Sequence, residues 1–145
     1  MNAFVTAGAG FLLAVLWFDL MFDVQVLRGP PEAGLASISG YYRRVTTDAR
    51  PMNMLVGAAM VGTLAAIVVQ IAEGDAPAWV GWASLALAGS AIGLAAVHTF
   101  PAAVRLGALR DPPKVQLRLA RSILRDHLIC FPAIATVLVI QLSSG

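Results

Sequence analysis

Read from the N-terminus, the chain alternates between long apolar runs and shorter stretches that hold almost all of its charge. Apolar runs cover about residues 4–27, interrupted by Asp19, Asp23 and Gln25, then about 52–71, 78–100 and 123–142. A helix needs about 20 residues to cross a hydrocarbon core about 30 Å thick, so each run is long enough to span a bilayer. None alternates apolar with polar, and an open sheet cannot satisfy its backbone in lipid, so strands are excluded. The pattern predicts an all-α, four-transmembrane-helix bundle, a single membrane domain over 1–145 with loops at about 28–51 and 101–122.

Composition agrees. The hydrophobic fraction is 59% and the charged fraction only 12%, against roughly a half and a quarter in soluble domains. Position says more about orientation than the net charge of +2 does. All ten Lys and Arg residues fall between Arg28 and Arg50 or between Arg105 and Arg125, and the short stretch 73–78 has none. Cytoplasmic loops are enriched in Lys and Arg, so both long loops are expected inside and both termini outside, in a bacterial-type plasma membrane. Trp79 and Trp82 would then mark the outer interface and Trp17 the inner one. The first cation is Arg28; without a basic n-region the first run is expected to stay in the mature protein.

Within the first loop Leu35, Ile38, Tyr42 and Val45 recur at helical spacing, with Arg43 and Arg44 off that stripe. This predicts a short helix along the inner membrane surface, weakened by Gly40. Asp48, ahead of Pro51, is expected to cap the second span. Gly89 with Gly93 and Ala58 with Gly62 form small-xxx-small steps, expected to serve packing within one bundle rather than dimerisation. Pro132 is expected to kink the fourth span.

Candidate chemistry is concentrated near the basic loops. Asp19 and Asp23, four apart on one helix face, sit at the C-terminal end of their span, where the helix dipole disfavours negative charge. Asp23 is expected at the interface. Asp19, about 6 Å deeper, should need a partner, with His98, His127, Arg105 and Arg125 within reach. One reading is a polar lock between helices; the other is a proton path or substrate site. Asp19, Asp23, His98 and His127 together offer N and O ligands suited to zinc or non-haem iron, but no tight ligand spacing supports a metal, and none is favoured. Haem on the two histidines is disfavoured because both would lie at one membrane edge. Cys130, the single cysteine, is assigned no role.

If the segment after Pro113 is helical, Lys114, Arg118, Arg121 and Arg125 form one narrow stripe, with His127 pointing nearly the opposite way. Such a stripe serves as a snorkelling collar on anionic lipid, or as a phosphate or acidic-partner site shared with Arg43 and Arg44. Nucleic acid is excluded as a partner because no aromatic residues interleave with these cations. Two functional classes follow. The first is a non-catalytic accessory or assembly subunit of a larger envelope complex, with lipids and other membrane subunits as partners. The second is a small membrane enzyme or carrier acting on a lipid-soluble substrate at the cytoplasmic leaflet through the Asp and His groups.

Overall fold

A computed structural model describes residues 1–28 and 31–144. Every element among them is helical: α1 (Asn2–Asp23), α2 (Pro31–Arg43), α3 (Arg50–Glu73), α4 (Ala78–Leu94), α5 (Phe100–Gly107) and α6 (Pro113–Ser144). A 3-10 turn, Val24–Leu27, extends α1, and a π turn, Ala95–Thr99, joins α4 to α5 as one continuous rod. Four helical stretches are long and apolar enough to cross a membrane: Asn2–Leu27, Arg50–Glu73, Ala78–Gly107 and Pro113–Ser144. The protein therefore has the form of a small multi-pass integral membrane protein.

Local chemistry explains where these helices begin and end. Proline is tolerated in a first turn because the N–H it lacks has no helical acceptor there, and Pro51 opens α3 in this way. At the other end of α3, Gly74 adopts φ 68° and returns its N–H to the carbonyl of Gln70, a left-handed cap that glycine takes without a Cβ penalty. Asp48 does not cap α3: no side chain caps that helix, and Asp48 lies 3.7 Å from Arg43 Nε instead. A π turn, Arg44–Asp48, separates the two helices and places the carboxylate beyond the first turn of α3.

The region expected to be a loop at 101–122 is mostly helix. Residues 100–107 continue the third rod, and α6 already starts at Pro113. Arg105 and Asp111 bridge the short turn between them with a bidentate pair at 2.7 and 2.8 Å. That bond holds the half-buried Asp111 carboxyl below the usual carboxylate range. In α6 the helix runs unbroken through Pro132.

Buried apolar side chains form two cores. One is shared by α1, α3, α4 and α6, and includes Val5, Ala9, Leu12, Ile67, Ala88, Cys130, Ile134 and Val137. The other lies at the basic end and joins Val26, Leu35, Ile38 and Tyr42 to Leu106, Ile123 and Leu124. The stripe on α2 is thus spent on α5 and α6 rather than on lipid, and the helix passes Gly40 without a break. Its C-terminal end comes so close to α5 that a Cβ on Gly107 would stand 2.7 Å from the Arg43 backbone nitrogen. Only glycine permits that approach.

Candidate functional site

Between the two cores lies a layer of ionisable side chains. On α6 the buried positions Ile123, Cys130, Ile134, Val137 and Gln141 follow the helical period, and Asp126 and His127 fall on the same stripe. The face that fills the bundle therefore carries an acid and an imidazole in mid-course. The opposite face carries the basic stripe: Lys114, Arg118, Arg121 and Arg125 are all exposed.

His127 meets the end of α1. Its Nδ1 lies 2.6 Å from Asp23 Oδ2, and its Nε2 3.7 Å from Asp19 Oδ2. The outer oxygens of both acids are taken by α2: Tyr42 donates to Asp23 Oδ1 and Tyr41 to Asp19 Oδ1, each at 2.6 Å. Tyr41 also stacks on Phe22 at 4.0 Å and meets Tyr42 edge-on at 5.2 Å. Burial, followed by the two carboxylates, pushes both phenols well above their ordinary range. Asp23 is the more enclosed of the two acids: its side chain is 0% exposed, against 15% for Asp19. The 3-10 turn after α1 and the docked α2 cover it, although it stands nearer the helix end.

His98 joins a different carboxylate. Its Nδ1 lies 2.5 Å from Asp126 Oδ2, which also accepts from Thr99 Oγ1 at 3.1 Å, while Arg125 reaches Oδ1 at 3.1 Å. Of the four residues considered as a ligand set, Asp19, Asp23 and His127 thus stand together, while His98 is drawn away to Asp126. Among the described residues no group of three or more His, Cys, Asp and Glu side chains is arranged to hold a metal ion. Arg43 and Arg44 are exposed, away from the buried stripe of α2. Cys130 donates to the Ala91 carbonyl at 3.5 Å within the core.

Sequence reasoning missed Asp126, Thr99 and the two tyrosines, and with them a second polar lock nearer the other end. There Gln70 and Gln141 exchange amide hydrogen bonds at 2.9 and 3.0 Å, and Gln141 also donates to Ser84 at 2.9 Å. Among the described residues every buried side-chain N or O has a hydrogen-bond partner. Neither a protein-family model, nor a curated protein, nor a solved structure matches the chain.

Proposed function

We propose that this protein is a non-catalytic accessory or assembly subunit that joins other membrane proteins in a bacterial-type envelope complex. The observation that carries this reading is the direction of its helical glycines. A Cβ on Gly57 or Gly62 of α3, or on Gly89 or Gly93 of α4, would meet nothing within 4 Å. Their expected use in packing one bundle is therefore corrected: the small-xxx-small steps face outward. Glycine inside a helix costs about 1 kcal/mol relative to alanine, and at these positions no contact within the chain offsets the cost. Close approach of a second helix does so.

Supporting this reading, an open apolar groove of about 490 Å³ lies between α1 and α3, with Ala7, Gly8, Ala59, Gly62 and Ala66 among its lining residues. The saturated Asp19, Asp23 and His127 cluster suits a lock that holds the bundle together. In this reading the two Lys- and Arg-bearing segments face the cytoplasm, both termini lie outside, and the stripe from Lys114 to Arg125 rests on anionic headgroups.

The test is gentle purification followed by native mass spectrometry of wild type, Gly62→Leu and the double variant Gly89→Leu/Gly93→Leu. A stoichiometric membrane partner is expected in the wild type and lost in at least one variant, with thermal stability unchanged or raised. A wild type without a partner, or variants that keep it, would overturn the assembly reading. Alkaline phosphatase fusions at either end should be active; cytoplasmic reporters active at both ends would reverse the orientation.

A further inference from the structure

The two imidazoles are not equivalent. His127 is enclosed, with a carboxylate facing each ring nitrogen. His98 is 46% exposed and uses Nδ1 alone, against an Asp126 that is 1% exposed. Among the described residues its Nε2 has no hydrogen-bond partner. Asp126 is itself fixed, by Thr99 on one oxygen and Arg125 on the other. An imidazole that donates Nδ1–H to a carboxylate presents the lone pair of Nε2 outward, in one tautomer and one orientation, and is a stronger acceptor for it.

The backbone adds an independent observation. His98 lies in the π turn Ala95–Thr99, where the Phe100 N–H reaches back to the Ala95 carbonyl. Pro101 accounts for the widening, since it has no N–H to offer Val97 and its ring crowds that carbonyl. Such turns inside helices recur at functional sites. The exposed neighbours flanking His98 on one side of this rod are apolar: Val97, 81% exposed, and Pro101. In a candidate membrane span, these surfaces meet lipid.

We propose that His98, oriented by Asp126, binds a membrane-dissolved molecule that carries a hydroxyl head. Nε2 accepts the hydroxyl hydrogen, and the apolar body lies against Val97 and Pro101. A lipid-soluble phenol and a glycerolipid with a free hydroxyl share this chemistry. The proposal goes beyond the assembly reading and does not depend on it.

The experiment uses the full chain, 15N-labelled at histidine, in phosphatidylcholine nanodiscs, titrated with decylubiquinol or with 1,2-dioctanoylglycerol. His98→Gln assigns the resonances. A saturable shift of His98 Nε2 with no shift at His127 is expected for one of the probes, and the responding probe identifies the phenol or the glycerolipid as the source. Asp126→Asn should abolish saturation while the His98 signal persists; the wild-type titration decides even where that variant does not fold. No saturable shift with either probe overturns the proposal. So does an equal shift with the dimethyl ether of the quinol, which has no hydroxyl to give.

Discussion

His127 and Asp23 lie 104 residues apart in sequence, yet their side chains close to 2.6 Å inside the bundle. The contact ties the last span to the first, and a phenol from α2 completes the carboxylate.

Breaking this pair from one side should strand a buried polar group. Asp23→Asn and His127→Gln are each expected to destabilise the fold by about 3 kcal/mol, and the double variant by less than their sum. Asp19→Asn should cost less, since Asp19 is the more distant carboxylate and keeps some exposure. Reversible unfolding in mixed micelles measures all four. Additive losses at Asp23 and His127 would show that the two side chains are neighbours without being coupled.

The phenols give a pH dependence with a definite sign. Tyr41 and Tyr42 are the only tyrosines, and both are held above their ordinary value, by burial first. Below about pH 10 folded and unfolded chains both keep these protons, so the contribution is fully present. Above it the unfolded chain releases them first, and stability falls as pH rises towards the folded values. Tyrosinate absorbance should stay flat past about pH 10 in folded protein and rise on unfolding. A rise near the ordinary value in the folded state would contradict the burial of both phenols.

Replacing one tyrosine at a time separates the two acids. Tyr42→Phe removes a donor from a fully buried carboxylate and should cost about 1.5–3 kcal/mol. Tyr41→Phe, opposite the partly exposed Asp19, should cost less. The reverse order would make Asp19 the more demanding acid.

Much of the architecture was legible because apolar run length is a local property. All four membrane-length helices were expected, and the predicted limits of the second, 52–71, lie within Arg50–Glu73. The stripe from Lys114 to Arg125 followed from period alone. The extension of the third rod to Gly107 did not, because Pro101 and Arg105 read as loop residues; the π turn accommodates the first and Asp111 pairs the second. Asp126 was overlooked between Arg125 and His127, where an acid resembles part of a solvated face. Its spacing of three from Ile123 and four from Cys130 was the available signal. The distance from His98 to Asp126 had no such signal, since it depends on how two rods align in depth.

The contact between His127 and Asp23 also sets an order of events during synthesis. At about 5–20 residues per second, the carboxylates of the first span wait roughly 5–20 s, the time to make 104 residues, before their imidazole exists. Tyr41 and Tyr42 follow within 22 residues, so the phenols are the earliest partners the nascent chain can supply. A ribosome stalled before the fourth span leaves both acids without His127, which makes the incomplete chain chemically distinct from the finished one.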